Sequence, residues 1–449
     1  MGAAADKLTA LVADPGRFMF PAGELRETQI AALDERFQER RDRIRLLGLR
    51  ARDAGIERIS RIADAVPLLF PHTAYKSYPE SYLTDERWDR LTKWLETVSA
   101  YPIEEVSLDA LEGIDDWIGR LADSGYFVSC SSGTTGKPAM LIASRKDMEW
   151  SKIDTVNVFA WGAGVEPAQD RLIVGCAPVA AVPKNTVIAQ AQYEAFANPA
   201  WPRWQYPVPP ITVGSLTSIA VMRKKIADGV ARPEEIALFE RTSAFRAKAI
   251  EDAVPATARF IIENRDKKLQ LSGLWGGLWQ VARAVRDAGY GGGDFHPGNS
   301  LYVGGGLKRA QLPADYQEYV FETFNIPEER HFQNYSMQEL NSGMPRCREG
   351  GRYHVPPWMV PVLLDKPGDA ALDHAHGEME GRAAFFDLSL DGRWGGVITG
   401  DKVSLDYGPC KCGNRGPSIR DGIVRYSDID GDDKISCAGT VDAYVRGVG

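Results

Sequence analysis

The 449-residue sequence predicts an α/β fold, with largely parallel sheets flanked by helices and a smaller β-rich subdomain. Three observations predict it. Residues 1–122 place apolar side chains at helical spacing among Glu, Arg and Gln. After residue 125, short apolar runs alternate with amphipathic segments, a pattern typical of parallel sheets covered by helices. From about Trp358 onward the pattern changes to short strands and turns.

These patterns divide the chain into four parts. Residues 1–122 are predicted as a mostly helical region packed on the core, 123–357 as the α/β core, 358–436 as the β-rich subdomain and 437–449 as a C-terminal stub. Helices are predicted over 25–62, 85–98, 103–121, 146–161, 215–228, 233–253 and 269–288, and strands over 126–128, 171–174, 299–303, 358–364, 379–390 and 395–399. The Pro- and aromatic-rich residues 67–79 interrupt the helices and are predicted to form a loop lying on the core.

Composition excludes several classes of protein. A net charge of −8 with no basic stripe argues against a nucleic-acid partner. The most basic run, residues 40–50, is interpreted as the solvated face of a helix. No run of 18 apolar residues and no N-terminal apolar segment are present, so we expect a cytoplasmic protein that does not span a membrane. Six cysteines are too few for a disulfide scaffold.

The strongest chemical signal is the stretch 125–139, GYFVSCSSGTTGKPA. A short β-favouring run leads into a loop whose backbone N–H groups and hydroxyls suit polyphosphate, with Lys137 as its cation. The loop residues expected to bind phosphate are Ser131, Ser132, Gly133, Thr134, Thr135 and Gly136. The spacing of Gly133 and Gly136 excludes a Walker A loop. The alternative interpretation is an ordinary flexible turn.

This loop resembles the phosphate-binding signature of the adenylate-forming superfamily, and most closely its phenylacetate-CoA ligase-like branch, with Ala139 in place of the usual Lys or Arg. The resemblance implies the layered N-terminal domain of that superfamily, an ATP-binding core over 123–357, ATP and Mg²⁺ as cofactors, and a carboxylic acid as substrate. It also implies a thiol acceptor, either CoA or a carrier or partner protein.

Two further segments resemble motifs of the same superfamily. In NSLYVGGGLK the resemblance places Gly304, Gly305 and Gly306 against the adenine, although a plain tight turn explains them equally well. HFQNYSMQE resembles the segment in which an aromatic residue stacks on adenine, a polar residue faces the α-phosphate and a carboxylate holds Mg²⁺. The residues assigned in this way are Tyr335 for stacking, Asn334 for the adenine amino group, Gln338 for the α-phosphate and Glu339 for Mg²⁺.

Two more matches lie further along the chain. Ile398-Thr399-Gly400-Asp401 matches the Thr-Gly-Asp motif, whose carboxylate accepts both ribose hydroxyls; the alternative for Asp401 is a turn former. Residues 439–447 resemble the hinge to the superfamily's mobile C-terminal domain, and the sequence stops at Gly449. The adenylating lysine of that domain is then expected from a partner, or Lys137 and Lys308 substitute for it, or the chain is naturally short, as in the acyl-protein synthetases.

A second site is predicted from cysteine and histidine spacing. Cys347 and His354 lie on one side of the β-rich region, and Cys410 and Cys412 lie on the other. Four N and S ligands in two close pairs suit a structural tetrahedral Zn²⁺, and the basic side chains at 346, 348 and 411 are expected to favour the thiolates. The alternative is two unrelated loops with reduced thiols.

The function predicted from these motifs is ATP-dependent activation of a carboxylic acid, followed by transfer of the acyl group to a thiol. The acid is expected to be aromatic or apolar, with a pocket drawn from Trp275, Trp279, Phe332 and Trp358, which are equally good core residues. Two alternatives stay open. One is an acyl-protein synthetase loading Cys437, which is also explained as a small core residue, and the other is a non-adenylating partner subunit that binds nucleotide or acyl-AMP.

Overall fold

A computed structural model describes residues 2–104, 106–130, 137–304, 311–373, 376–431 and 435. The chain divides into two compact units. Unit 1 comprises the described residues up to 130, those of Lys137–Asp154 and those from Ser336 onward, whereas unit 2 comprises those of Thr155–Tyr335. The region predicted as helical, 1–122, thus lies in unit 1, whereas the region predicted as the α/β core, 123–357, contributes to both units. The four sequence-based domain bounds stay a prediction.

The helices and strands follow the predicted alternation. The helices are α1 Ala3–Ala10, α2 Ala22–Arg40, α3 Arg45–Asp53, α4 Ile62–Ala65, α5 Ser81–Thr84, α6 Trp88–Glu96, α7 Ile114–Asp123, α8 Arg145–Ala163, α9 Pro183–Phe196, α10 Val213–Ala227, α11 Pro233–Glu263, α12 Trp275–Asp287, α13 Tyr316–Phe324 and α14 Tyr426–Asp430. The strands are β1 Phe70–Pro71, β2 Phe127–Cys130, β3 Met140–Ala143, β4 Leu172–Gly175, β5 Leu269–Gly273, β6 Ser300–Val303, β7 His331–Phe332, β8 Asn334–Tyr335, β9 Met344–Pro345, β10 Tyr353–His354, β11 Met359–Leu364, β12 Glu378–Asp387, β13 Gly396–Asp406, β14 Ser418–Ile419 and β15 Val424–Arg425. Short 3₁₀ segments occur at Leu11–Ala13, Val66–Leu68, His72–Lys76, Gly292–Asp294 and Glu328–Arg330.

Unit 2 is built on a parallel sheet in the order β4-β5-β6-β7. Helix α12 packs against it through a buried stripe that includes Leu278, Val281 and Val285. The predicted helix over 269–288 was wrong at its start, because Leu269–Gly273 is the buried strand β5. A short apolar run of this kind does not by itself distinguish a buried strand from a helix, and here Gly273 ends the strand before α12 begins.

Helix α11 was predicted to end at 253, before a proline, but it continues to Glu263. Pro255 lies inside it, where its missing N–H removes one backbone hydrogen bond. The turns after it are nevertheless retained, because Ala258 and Ile261 are buried in the core of unit 2. Tertiary burial here outweighs the local cost of the proline.

Unit 1 contains a mostly antiparallel sheet centred on β13. Strand β12 pairs with β13 along most of its length, and β11 adds to the far side of β12. Strand β1 also joins β13, in parallel, with Phe70 opposite Val397 and Pro71 opposite Ile398. The segment predicted as a loop over 67–79 therefore contains a strand, and the 3₁₀ segment His72–Lys76 follows it directly.

The basic run 40–50 is not a solvated face throughout. Arg40 and Arg50 are buried, as is Arg36 one turn earlier in α2. Their guanidinium groups donate to backbone carbonyls: Arg36 to that of Leu388 at 3.1 Å and Arg40 to that of Arg393 at 2.8 Å. These hydrogen bonds give the buried guanidinium groups acceptors, and they join helix α2 to the segment between β12 and β13.

The predicted fold class is confirmed: a parallel sheet flanked by helices is joined to a β-rich part. None of the helices in the described part of the chain combines the length and the apolarity needed to cross a bilayer.

Candidate active site and metal centre

The predicted phosphate loop joins two paired strands of unit 1. Strands β2 and β3 form an antiparallel hairpin in which Cys130 pairs with Met140. Residues Ser131 to Gly136 lie outside the described residues, so their assignment to phosphate stays a prediction. Lys137, at the end of the loop, is half-buried.

Lys137 is positioned by a residue of the N-terminal region. Its Nζ donates to the carbonyl of Tyr78 at 2.5 Å and lies 4.9 Å from the centre of the Tyr78 ring. The Tyr78 hydroxyl in turn donates to the carbonyl of Pro138 at 2.6 Å. Burial raises the pKa of Tyr78 well above its usual value, so its hydroxyl stays a donor at neutral pH. The end of the phosphate loop is therefore fixed to the chain just after the 3₁₀ segment His72–Lys76.

The same 3₁₀ segment lies beside the predicted metal ligand. Arg393 donates to the carbonyls of Gln338 at 3.1 Å and Glu339 at 2.9 Å, and the Tyr75 hydroxyl donates to the carbonyl of the next residue, Trp394, at 3.3 Å. Burial of Tyr75 raises its pKa to about 12. Arg393 thus fixes the backbone that carries Glu339 against the segment that leads to Tyr78.

The carboxyl of Glu339 lies among charges of both signs. Its pKa is above the usual value because it is buried, and nearby Asp401 raises it further. Its own backbone N–H, Arg393 and Lys76 act in the opposite direction. The predicted metal ligand and the predicted ribose ligand, Asp401, are therefore electrostatic neighbours in unit 1.

Asp401 lies three residues beyond the point where β1 joins β13. Its backbone N–H donates to the Thr399 hydroxyl at 3.0 Å, and its carboxylate lies 3.7 Å from Nε of Arg425. The Arg425 side chain is 68% exposed, so this ion pair is weak and a competing ligand can displace it. The Asp401 carboxylate is 15% exposed and remains accessible to such a ligand.

Lys76, Tyr75, Tyr78, Arg393 and Arg425 are the residues around these candidates that sequence reasoning missed. The signal available for three of them was one polar-aromatic stretch, AYKSYP, inside a segment otherwise rich in proline and apolar residues. The Tyr75 hydroxyl donates to a carbonyl 319 residues away, and Arg393 and Lys137 donate to carbonyls 54 and 59 residues away. No local pattern reports contacts over such separations.

Two buried amide oxygens of the candidate residues also bear on ligand binding. Among the described residues, neither Oε1 of Gln338 nor Oδ1 of Asn334 has a hydrogen-bond partner. Buried polar atoms are normally paired, so each oxygen is consistent with a ligand that supplies a donor or a cation. Gln338 belongs to unit 1 and Asn334 to unit 2.

The other predicted nucleotide residues belong to unit 2. Gly304 is exposed at the end of β6, where its N–H donates to the carbonyl of Gly273 at 3.1 Å, and Tyr335 is half-buried in β8. Gly305, Gly306 and Lys308 lie outside the described residues, as does Cys437. The assignments of these residues stay predictions.

The predicted zinc ligands come together in unit 1. The ligand atoms of Cys347, His354, Cys410 and Cys412 all lie within 4.8 Å of one another. The two sulfurs of Cys347 and Cys410 are 3.9 Å apart, and Sγ of Cys412 is 3.3 Å from Nε2 of His354. Tetrahedral Zn²⁺ with its usual bond lengths requires about 3.8 Å between sulfurs and about 3.6 Å between sulfur and nitrogen. The donor set and its spacing therefore fit zinc.

Two tight turns present the cysteines. The N–H of Gly350 donates to Sγ of Cys347 at 3.2 Å, and Gly351 continues the turn with a φ of +65°. On the other side, Gly413 has a φ of +86° and donates to the carbonyl of Cys410 at 3.0 Å. A Cβ at position 350 would lie 2.0 Å from Sγ of Cys410, so the cluster has room only for glycine there.

Burial governs the protonation of this cluster. It lowers the pKa of His354 to about 4, which leaves the imidazole neutral at pH 7 and able to ligate a metal. It raises the pKa of Cys412 to about 12, so the expectation that neighbouring basic residues favour the thiolates was wrong for this cysteine. Arg346 is instead engaged with Asp421 at 2.8 Å. A bound metal would have to displace the thiol proton.

The aromatic residues suggested for an acid pocket are mostly core residues. Trp275 is buried in the main core of unit 2, with Trp279 packed against it, and Phe332 belongs to a second cluster there. Trp358 is fully buried in unit 1, where it makes an edge contact with Trp150 at 5.3 Å. These side chains support the cores of the two units.

The chain has the fold of adenylate-forming CoA ligases. Among solved structures it is similar to 2-hydroxyisobutyryl-CoA ligase in the postadenylation state with R3-HIB-AMP, at 12% identity and a TM-score of 0.56, over 92% of this chain and 70% of that chain. An open conformation of that ligase with 2-HIB-AMP and CoA is similar at 12% identity and a TM-score of 0.55, over 94% of this chain and 75% of that chain. Its thioesterification state matches at 13% identity and a TM-score of 0.53, over 92% and 70%. No protein-family model and no curated protein matches the sequence.

Proposed function

We propose that this chain activates a carboxylic acid with ATP to form an acyl-adenylate and pyrophosphate, and then passes the acyl group to a thiol, which is CoA or a carrier protein. The phenylacetate-CoA ligase-like branch is part of this proposal. The proposal of acid activation is supported by the fold and by the order of the motifs at 131–137, 334–339 and 401.

One observation carries the proposal. Asp401 raises the pKa of Glu339 within unit 1, and the backbone that carries Glu339 accepts a hydrogen bond from Arg393 at 2.9 Å. The 3₁₀ segment His72–Lys76 ends two residues before Tyr78, whose carbonyl accepts from Lys137. Anionic and cationic groups from distant parts of the sequence thus act on one short segment. Such an arrangement suits a polyphosphate with its metal and its ribose.

Each residue has a defined task in this reaction. Lys137 and the loop amides neutralise the leaving phosphates, Gln338 donates to the α-phosphate, and Asp401 accepts the ribose hydroxyls. Asn334 and Tyr335 bind the adenine. The reaction needs no protein nucleophile, because the substrate carboxylate itself attacks the α-phosphorus and the protein contributes positioning and charge.

Glu339 is the proposed Mg²⁺ ligand. Its half-buried carboxyl, whose pKa is raised by desolvation and further by Asp401, is a group that a divalent cation stabilises. When bound, Mg²⁺ would neutralise charge on the phosphate oxygens.

The test is ATP–pyrophosphate exchange with a panel of aliphatic, hydroxy and aromatic acids. Glu339→Gln should lower exchange by about 10²-fold or more, since one preorganised charge is lost. The matched control is Glu380→Gln, which makes the same change in β12 at an exposed side chain paired with Lys402. No exchange with any acid, while nucleotide still binds, would favour the partner-subunit alternative.

The acceptor is tested separately by following the acyl group from labelled acid. Transfer to free CoA, unchanged in Cys437→Ala, is expected. Covalent labelling of the protein that disappears in Cys437→Ala would replace the CoA proposal with the acyl-protein synthetase alternative.

We also propose that Cys347, His354, Cys410 and Cys412 hold a structural Zn²⁺. Four protein ligands leave no open coordination position, so this site is separate from the chemistry of adenylation.

A further inference from the structure

Lys76 occupies a distinctive place in unit 1. It ends the 3₁₀ segment that follows β1, and β1 pairs with β13 up to Ile398, three residues before Asp401. Its neighbour Tyr75 donates to the carbonyl of Trp394 at 3.3 Å, and the adjacent Arg393 donates to the carbonyl of Glu339 at 2.9 Å. The carbonyl of Tyr78, two residues beyond Lys76, accepts the hydrogen bond from Lys137. The backbone therefore places Lys76 between the end of the phosphate loop and the candidate metal ligand.

The charges around Lys76 are those of the candidate active site. Glu339 attracts it and Arg425 repels it, while Asp401 and Arg393 interact in turn with Glu339. The Lys76 side chain is half-buried, and among the described residues it makes no hydrogen bond and no ion pair within 4.0 Å. Its ammonium group thus has three donors available near the half-buried carboxyl of Glu339.

Holding a lysine here is unfavourable for the folded chain alone. Burial lowers the pKa of Lys76, which means that desolvation of the ammonium outweighs the attraction of Glu339. A half-buried cation that is not paired at short range is expected where an anionic ligand completes its interactions. Mg²⁺ at Glu339 would bring phosphate oxygens to this position, because Mg²⁺ is usually held by one or two carboxylates together with substrate phosphates.

We propose that Lys76 binds the nucleotide phosphate beside Glu339 and stabilises the charge that develops on it during adenylation. This inference rests on the proposed function. In the step, an oxygen of the substrate carboxylate bonds to the α-phosphorus, the bond from that phosphorus to the bridging oxygen of the β-phosphate breaks, and pyrophosphate leaves with the electron pair. Lys76 keeps its proton throughout and donates hydrogen bonds to the phosphate.

The test uses Lys76→Met, Lys76→Arg and a control, Lys152→Met, on the intact chain. Lys152 is a surface residue of α8 paired with Glu149 at 2.7 Å. Two readouts are measured: binding of AMP compared with adenosine, and ATP–pyrophosphate exchange with the acid panel. The melting temperature of each variant is recorded in the absence of nucleotide.

Lys76→Met should weaken AMP binding about tenfold or more and leave adenosine binding unchanged, because only AMP carries the phosphate. Exchange should fall by about 10²–10³-fold. Lys76→Arg should recover part of the AMP binding and part of the exchange, since it keeps the charge. The control, Lys152→Met, should match the wild type in both measurements. The melting temperature of Lys76→Met should equal or exceed that of the wild type, because a desolvated charge has been removed.

Failure of this inference is distinct from failure of the proposed function. Suppose that the wild type catalyses exchange, and that Lys76→Met keeps both the wild-type exchange rate and the wild-type ratio of AMP to adenosine affinity. That result would overturn the role of Lys76 alone. Wild-type AMP binding without exchange for any acid would overturn the ligase, and the AMP-to-adenosine ratio would still decide Lys76. Binding of neither nucleotide would overturn both, and if Lys76→Met fails to fold, Lys76→Arg and Lys76→Gln decide by the same ratio.

Discussion

Replacing Gly350 with alanine tests the metal centre through geometry alone. The added Cβ would lie 2.0 Å from Sγ of Cys410, whereas ordinary contact begins at 3.4 Å, so the two must separate by at least 3.4 − 2.0 = 1.4 Å. Metal–ligand distances tolerate only about 0.2 Å. In the metal-free chain Cys410 can rotate away, but in the metal-bound chain its sulfur is fixed. Gly350→Ala should therefore remove the metal without removing any ligand.

The expected loss of stability follows from mass action. A metal present at 1,000 times its dissociation constant stabilises the folded state by about 4.1 kcal/mol. At about 2–4 °C per kcal/mol for a domain of 150–250 residues, the melting temperature should fall by roughly 8–16 °C. Zinc content should fall from about one per chain to below about a tenth, measured by elemental analysis and by release to a colorimetric chelator.

The comparison in a strong chelator separates metal loss from overpacking. There the wild type should fall to the melting temperature of Gly350→Ala. The matched control is Gly119→Ala in helix α7, where no described atom beyond the neighbouring residues and the backbone of the helix itself lies within 4 Å of the added Cβ. This change should be neutral or stabilising. A wild type without zinc, or a Gly350→Ala variant that keeps it, would refute the reasoning. A variant that stays far less stable than the wild type in chelator would assign the cost to packing instead.

Three further substitutions address the candidate active site and its supports. Tyr78→Phe leaves the carbonyl of Pro138 without its buried donor, so it should cost about 1–3 kcal/mol in denaturant unfolding. Asp147→Asn should cost about 2–3 kcal/mol by the same measurement, because its carboxylate accepts from the N–H groups of Ser144, Asp391 and Gly392 at 2.7–2.9 Å. Arg425→Ala should leave stability within about 1 kcal/mol and should not weaken adenosine binding, since the arginine competes with ribose for Asp401.

Each of these changes has a matched control on the same type of side chain. Tyr82→Phe, Asp123→Asn and Arg90→Ala, the last at a surface arginine paired with Asp89, should all lie within about 0.5 kcal/mol of the wild type. A Tyr78→Phe or Asp147→Asn variant as stable as its control would contradict the hydrogen bonds described above. A tenfold loss of adenosine affinity in Arg425→Ala would make that arginine a ligand rather than a competitor.

The sequence was sufficient for the fold class because amphipathic periodicity reports whether a segment has one buried face. It was insufficient for Leu269–Gly273, where strand and helix share the same apolar run, and for Pro255, where the core keeps the helix intact. Both errors arise from tertiary packing that outweighs a local preference.

The same distinction between local pattern and tertiary packing applies to the candidate site. Motifs predicted Glu339, Asp401 and the four candidate metal ligands, because each is presented by a short local signature. Lys76 and Arg393 acquire their surroundings only when residues far apart in sequence pack together. Arg40, at the start of the basic run, was interpreted as a surface residue for a related reason, since its acceptor is the carbonyl of Arg393, 353 residues away.

The discontinuous course of unit 1 has a consequence for synthesis on the ribosome. Unit 2 is drawn almost entirely from one continuous stretch, Thr155–Tyr335, and can mature as soon as that stretch has emerged. Phe70, in contrast, pairs with Val397, which follows 397 − 70 = 327 residues later and is reached after roughly 15–65 s of translation. Throughout that interval the N-terminal helices expose apolar faces that have no sheet to cover, so nascent chains halted before residue 397 should be the ones that recruit chaperones.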